Sequence, residues 1–479
     1  MSPLAIFAGR LTGEGMNATP PDPLKGYRGR AREALKSFGV RVWSEVEAET
    51  RRGNFHGIIL PRSEQADDRH IVLKLPTGYN VGVSAESLLD LREVGYREAH
   101  YQIPEKEFPT DPSKPDVTLL GTGGTIASRL DYRTGAVIPA FSPGELYGAV
   151  PELADICNLK TIKLYSVFSE NIGPEHWIGT ARAIEREIAH GVDGIIVGHG
   201  TDTMHYTAAA LTFMVQDPPV PIVLVGSQRS SDRPSSDAAL NLIHATHAAA
   251  RGKIAEVMVC MFGPTSDAYA LLHRGVRVRK MHSSYRSTFR TLGDTPLAKI
   301  ERDVLTPIKN DWRPRREDRK VRVETRFEER VAILYYYPNM HPDVLEAFIE
   351  GGYKGIVIAG TGLGHVNKPL YPALEKARDA GIPVFMTVQT LWGYTQMYVY
   401  DTGRDIMERG VIPLGNMLPE VAYVKLGWAL GQTDDPEEVK RIMLTMVSDE
   451  ITDREPPNGY VVLQGGLPEV DEFLGRYWK

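Results

Sequence analysis

The chain has 479 residues, of which 42% are hydrophobic and 24% charged, and its formal net charge is -6. These values exclude wholesale disorder and a generally basic nucleic-acid coat. Only Cys157 and Cys260 occur, with no CxxC pair, which excludes a zinc ribbon and a disulfide scaffold. Residues 1–25 read as an irregular lead-in, because ATPPDPLKG carries three prolines and no periodicity. Residues 26–104 read as a small β-barrel domain. RVWSEVEAET alternates apolar and polar residues, and HGIILP, HIVLKL and YNVGVS are short apolar runs between turn residues. Residues 105–115, within EKEFPTDPSKPD, read as a charged, proline-rich linker.

The pattern changes at residue 116. VTLLGTGG is a strand running into a glycine turn. Trp177, Ile178, Ala181, Ile184 and Ile188 lie at helical spacing. GIIVGHG, PIVLVGS and EVMVCMFG read as strands, and TMHYTAAALTFMV and SDAALNLIHATHAAA as the helices between them. Apolar strands alternating with amphipathic helices predict an α/β domain over 116–302, its parallel sheet covered on both faces. Residues 303–330, with WRPRREDRK, read as a charged linker; the alternative is a tRNA-binding patch. Residues 331–440 predict a second, smaller α/β unit, built from VAILYYYP, a helix from His341, KGIVIAGTG, a helix near Pro369–Ala380 and PVFMTVQT. Residues 441–479 read as a C-terminal extension. No run approaches 18 apolar residues, and MSPLAIFAGR has no basic stretch ahead of an apolar core. The expectation is a cytoplasmic protein with no membrane span and no signal peptide.

Four strand ends finish in glycine and small polar residues. They are Gly121–Thr125, Gly198–Thr203, Gly226–Arg229 and Gly263–Ser266. Ligands of open parallel sheets sit beyond the carboxyl ends of the strands, where glycines allow close approach and free N–H groups bind an oxyanion. Tight turns with helix caps are the other reading of such segments. GTGGTIAS is not a P-loop, GTGLGH is not GxGxxG, and no GxSxG elbow exists. His199 and His205 lack a companion carboxylate at metal spacing, and they read as structural or capping residues. A hydroxyl nucleophile remains; a threonine is a weak one and needs a nearby base or a lysine of lowered pKa. Lys280 is a candidate, among Arg274, Arg277 and Arg279; a plain basic strand is its alternative.

LGTGGTIA (Leu120–Ala127) and GHGTDTM (Gly198–Met204) together resemble the two signature segments of the L-asparaginase/glutaminase amidohydrolases, and VRKMHSSYRSTF resembles the family's lysine segment. The resemblance covers roughly residues 116–440. It implies an asparaginase-like two-domain parallel-sheet body. By the same resemblance, Thr125 is the nucleophile and Tyr132 assists it. Thr201, Asp202 and Lys280 form the activating group. Gly124 and Gly200 lie in the binding turns, and Asp202, Ser169 and Glu170 hold the substrate's α-amino and α-carboxylate groups. Glu170 stands where the bacterial asparaginases have glutamine. No metal or organic cofactor is implied in this chain.

GNFHGIILPR to IVLKLPTGYNVGVS resembles the leading domain of the archaeal glutamyl-tRNA(Gln) amidotransferase branch of the family, a small SH3-like β-barrel ahead of the body. That branch implies glutamine as substrate. It also implies a partner, the amidotransferase's transamidating subunit, which uses ATP and magnesium on Glu-tRNA(Gln). A homodimer within a heterotetramer is implied as well, with the neighbouring copy completing each site. The alternatives are a free-standing L-asparaginase and a non-catalytic nucleic-acid-binding protein.

Overall fold

The computed structural model describes residues 22–24, 26–62, 66–76, 80–96, 110–123, 128–131, 136–139, 150–229, 236–318, 320–457 and 459. Contacts divide the chain into two compact units, Met1–His100 with Asp131–Ala136, and Tyr101–Leu130 with Val137–Lys479.

The first unit has a helix, α1 (Gly29–Ser37), and five antiparallel strands: β1 (Ser44–Thr50), β2 (Gly53–Ile59), β3 (His70–Lys74), β4 (Asn80–Ser84) and β5 (Leu88–Tyr96). Their order is β4-β3-β2-β1-β5. In β1 the two-residue period sends Ser44, Val46, Ala48 and Thr50 inward. The core joins Ala31 and Leu35 of α1 to Val46, Ile59, Ile71, Leu73 and Leu91 of the strands. Register shifts between Glu45 and Val46, and between Glu49 and Thr50, interrupt the β1–β5 ladder. Bulges of this kind increase the local twist and curl a sheet.

The second unit opens with β6 (Asp116–Gly123); next in the chain is a short ribbon, β7 (Ser128–Asp131) with β8 (Ala136–Pro139). Then come β9 (Asn158–Val167), α2 (Pro174–Ala189), β10 (Gly194–Gly198), α3 (Met204–Met214), β11 (Val215–Gln216), β12 (Ile222–Val225), α4 (Ala238–Arg251) and β13 (Val257–Phe262). β9, β6, β10, β12 and β13 pair in parallel. Both faces are covered: Ile195, Ile222, Leu224 and Val259 belong to one apolar cluster, and Ile196, Val223, Val225 and Met258 to another.

The sheet does not stay parallel. β14 (Ala270–Arg274), β17 (Ala298–Glu301) and β18 (Val304–Pro307) extend it antiparallel, giving the order β18-β17-β14-β13-β12-β10-β6-β9. Only residues 263–269 separate β13 from β14, too few for a parallel crossover, which needs about a dozen. Between β14 and β17 a separate ribbon forms from β15 (Val278–Lys280) and β16 (Phe289–Thr291).

Residues 303–330 are more ordered than a solvated linker. They contain β18 and β19 (Arg322–Val323), which pairs with β11. The arginines there bind backbone carbonyls: Arg313 takes Val447 O, and Arg315 takes Gly252 O, Asp193 O and Ala249 O. Charge in this stretch reads as solvation in the sequence, but guanidinium groups here close carbonyl ends of the body.

The remainder is a four-stranded parallel sheet, β20 (Val331–Tyr335), β21 (Gly355–Gly360), β22 (Val384–Val388) and β23 (Val411–Pro413), in chain order. α5 (Pro342–Glu350), α6 (Tyr371–Asp379) and α7 (Asp401–Glu408) alternate with the strands, and α8 (Pro419–Gln432) and α9 (Pro436–Leu444) follow. α8 is apolar all round, with Val421, Ala422, Val424, Leu426 and Ala429 buried. Such a helix belongs inside a protein. Its side chains join Ile195 and Phe213 on one side to Val357 and Phe385 on the other in a single cluster.

Candidate active site

The site forms at the carboxyl ends of β6 and β10. β6 ends at Gly123, whose φ is +115°, and an added Cβ would lie 2.3 Å from Val167 O. The β6–β9 register shifts between Gly121 and Gly123. Only glycine takes that conformation cheaply, so the chain is redirected at the end of β6. Gly124, Thr125 and Tyr132 themselves lie outside the described residues. Thr122 Oγ1 donates to Gly198 O at 2.9 Å and ties the ends of β6 and β10 together.

After β10 the chain turns through Gly200–Thr203 into α3. The N-terminus of a helix favours negative charge, because its first N–H groups point outward unpaired. Thr201 is 5% exposed and lies at the base of this turn, while Asp202 projects outward. Lys280, the last residue of β15, reaches both: its Nζ donates to Thr201 Oγ1 at 2.9 Å and to Asp202 Oδ1 at 2.7 Å. Lys280 is 79 positions from Thr201 and 78 from Asp202 in sequence, and the fold brings the three together. A hydroxyl hydrogen-bonded to an amine beside a carboxylate can exchange a proton with a bound water or a second hydroxyl.

Ser169 and Gly200 are also brought together. Ser169 is 4% exposed, in a 3-10 turn that follows β9. A Cβ on Gly200 would sit 2.7 Å from Ser169 Cβ, so only a glycine permits this approach. Thr203 Oγ1 donates to Ser169 O at 2.6 Å and fastens the two turns. Glu170, next in the chain, is exposed. The third glycine turn backs the site: a Cβ on Gly226 would meet Thr201 Cγ2 at 2.9 Å. The fourth turn instead holds the segment after Lys280, since Arg286 Nη1 donates to Thr265 O at 3.1 Å.

Several supports were not legible in the sequence. Asp237 is fully buried and accepts N–H bonds from Gln228 and Arg229 at 3.0 Å, fixing the turn after β12. His199 lies on Gly200 O through Nδ1 at 2.6 Å and on Thr207 Oγ1 through Nε2 at 2.8 Å. Trp177 Nε1 already donates to Thr207 Oγ1, at 3.0 Å. The Thr207 proton is therefore free to go to Nε2, and Nδ1–H to the Gly200 carbonyl, which fixes a neutral tautomer. Burial holds the His199 imidazole down to about 4, with the Gly200 carbonyl opposing. Burial, then the Arg279 charge, holds His205 down to about 3. His199 braces the turn, in keeping with the structural reading of its sequence, and what the sequence did not show is its link through Thr207 to Trp177.

Arg279 was read only as a like charge beside Lys280, and Glu420 was missed. Arg279 Nη1 lies 3.3 Å from Glu420 Oε2, and the two are 141 positions apart. Glu420 is 1% exposed, and burial raises its pKa above the ordinary carboxylate value.

Family models match three stretches: "Asparaginase, N-terminal" over residues 116–313, "Glutaminase/Asparaginase C-terminal domain" over 330–443, and "GatD N-terminal domain" over 40–92. The GatD subunit of the glutamyl-tRNA(Gln) amidotransferase of Methanothermobacter thermautotrophicus is 49% identical over 429 residues, 89% of this chain and 98% of that one. That of Pyrococcus furiosus is 46% identical over 445 residues, 90% of this chain and 100% of that one. Among solved structures, the thermostable L-asparaginase from Thermococcus kodakarensis is 32% identical, with a TM-score of 0.63. The match covers 70% of this chain and 99% of that one.

Proposed function

The chain belongs to the GatD family of glutamyl-tRNA(Gln) amidotransferase subunits, with an asparaginase-like fold, and on that premise we propose that it is the glutaminase of a tRNA-dependent amidotransferase. It hydrolyses glutamine through a threonine nucleophile and hands ammonia to its partner in the amidotransferase, GatE, which makes Gln-tRNA(Gln) from Glu-tRNA(Gln). The observation that carries this is the contact of Lys280 Nζ with both Thr201 Oγ1 and Asp202 Oδ1, beside Ser169 and Gly200.

The Thr125 hydroxyl attacks the side-chain amide carbon of glutamine. Its proton leaves with the amide nitrogen as ammonia, and an acyl ester remains on Thr125. Backbone N–H groups of the glycine turns hold the oxyanion; losing one such donor costs about 2.7–4 kcal/mol. Tyr132 assists the attacking hydroxyl. A water near Thr201, its proton taken up by Lys280, then attacks the ester; the Thr125 oxygen leaves, receives that proton back as its hydroxyl, and glutamate is released. Asp202 and Glu170 face the substrate ammonium, and Ser169 its carboxylate. The second negative charge, at Glu170, strengthens the hold on the ammonium relative to a neutral glutamine. The hydrolysis calls on no metal or organic cofactor in this chain; ATP and magnesium act at the partner. Two copies of the chain pair within a heterotetramer in the cytoplasm. Among the described residues no helix is long and apolar enough to cross a membrane.

Ammonia release with glutamine and with asparagine, with and without the partner and charged tRNA, tests the proposal. Weak glutamine hydrolysis by the chain alone, rising when both are added, is the expected result. Fast asparagine turnover by the lone chain, unchanged by either addition, would point to a free-standing L-asparaginase instead.

A further inference from the structure

Lys280 sits on a strand of three residues, in a two-stranded ribbon rather than in the large sheet. A ribbon that short holds its position poorly by itself. Its anchoring comes from arginines on its other face. Successive side chains of a strand point to opposite faces, so Arg277 and Arg279 share one face while Val278 and Lys280 share the other. Arg277 is fully buried. It donates to Asn416 O at 3.0 Å, to Asn416 Oδ1 at 3.1 Å and to Asp449 O at 2.7 Å. Arg279 lies 3.3 Å from Glu420 Oε2 and 3.4 Å from the Tyr335 hydroxyl. Asn416 and Glu420 flank the start of α8, in the C-terminal half.

Glu420 is an expensive choice for that place. It is 1% exposed, and its Oε1 has no hydrogen-bond partner. A buried carboxylate satisfied on one oxygen only is a poor source of stability, and an apolar residue of similar size serves stability as well or better. The charge has a use at the other end of the contact. Arg279 is bonded along the chain to Lys280, and a carboxylate drawing one guanidinium sets where the next side chain starts. It also balances a like charge beside the lysine, leaving Asp202 as the partner of Lys280.

We propose that Glu420, acting through Arg279, is a positioning residue of the glutaminase reaction. It holds the strand so that Lys280 Nζ meets Thr201 and Asp202 together, and it makes the C-terminal half part of the catalytic alignment. The inference rests on the role given to Lys280 above.

The test uses the full chain together with its amidotransferase partner, measuring ammonia release from glutamine. Lys280→Met is run in parallel. Glu420→Gln keeps the shape and removes the charge. Its kcat is expected to fall by roughly ten- to a hundredfold, the effect of a small misplacement of a reacting group. KM should stay within about twofold, because the groups that hold the amino acid are untouched. Arg279→Lys, which keeps a cation for Glu420, should retain clearly more kcat than Arg279→Met. A native kcat in Glu420→Gln, or equal kcat in the two Arg279 variants, would overturn the proposal. If Glu420→Gln does not fold, the two Arg279 variants decide. Activity that survives Lys280→Met would instead sink the site assignment itself. Loss in Lys280→Met with a native rate in Glu420→Gln would sink only the positioning role.

Discussion

A lysine shared between a hydroxyl and a carboxylate has two duties, and substitutions at its partners should separate them. Asp202 is the outward partner, and the proposed function gives it the substrate ammonium. Asp202→Asn should therefore raise KM for glutamine as well as lower kcat, measured by ammonia release; a near-native kcat/KM would remove Asp202 from the site. Gly200 is constrained by contact rather than by charge. In Gly200→Ala the new methyl would stand 2.7 Å from Ser169 Cβ, so the Ser169 turn must shift. A tenfold or larger loss of kcat/KM is expected, by analogy with the roughly hundredfold cost of a 1 Å misplacement. The buried imidazoles predict a pH response. Burial holds His199 and His244 down to about 4, and His205 and His273 to about 3. An unfolded imidazole binds its proton near 6.5. The unfolded chain thus takes up protons that the folded chain refuses, and stability is lost as pH falls from about 6.5 toward about 4. A melting temperature that stays flat from about pH 7 to about pH 5 would contradict this assignment.

At the scale of elements, α8 is where the two halves of the body meet, and its one buried cation shows how firmly. Lys425 and Glu450 are both fully buried, 2.6 Å apart. Lys425 also donates to Met443 O and Thr445 O, while Glu450 accepts from the Val447 and Ser448 N–H groups. Burial lowers the Lys425 pKa, and Glu450 beside it works against the shift. Breaking such a pair leaves a charge stranded in the interior. Lys425→Met should cost about 3–5 kcal/mol in denaturant unfolding, and adding Glu450→Gln should recover part of it. Equal midpoints for the wild type and Lys425→Met would mean that the pair carries no stability. Lys425 stands in an apolar helix, and nothing within a few residues names its partner. The strands and helices around the glycine turns were legible, because continuous apolar runs and helical spacing are local signals. The antiparallel edge of the large sheet was not. β14 is buried along its whole length like its parallel neighbours, and only the short connection before it reveals the direction.

For the molecule as a whole, the meeting of Thr201, Asp202 and Lys280 was readable through the family resemblance, and its support was not. Thr201, Asp202 and Lys280 were named from the resemblance to the amidohydrolases and stand in contact. Arg279 with Glu420, and Arg277 with Asn416, are contacts between segments about 140 residues apart, and one sequence carries no record of such pairings. The homodimer proposed above should appear in solution scattering of the isolated chain as twice the monomer mass. A monodisperse, fully active monomer would contradict it. The arginine anchors bear on how the enzyme is made. A ribosome emits the glycine turns and Lys280 well before residues 416–450, yet Arg277 and Arg279 take their partners from that later stretch. A nascent chain therefore carries Thr201, Asp202 and Lys280 before it has the partners of Arg277 and Arg279. Under the proposed positioning role, a chain ending before α8 should release ammonia from glutamine more slowly than the full chain.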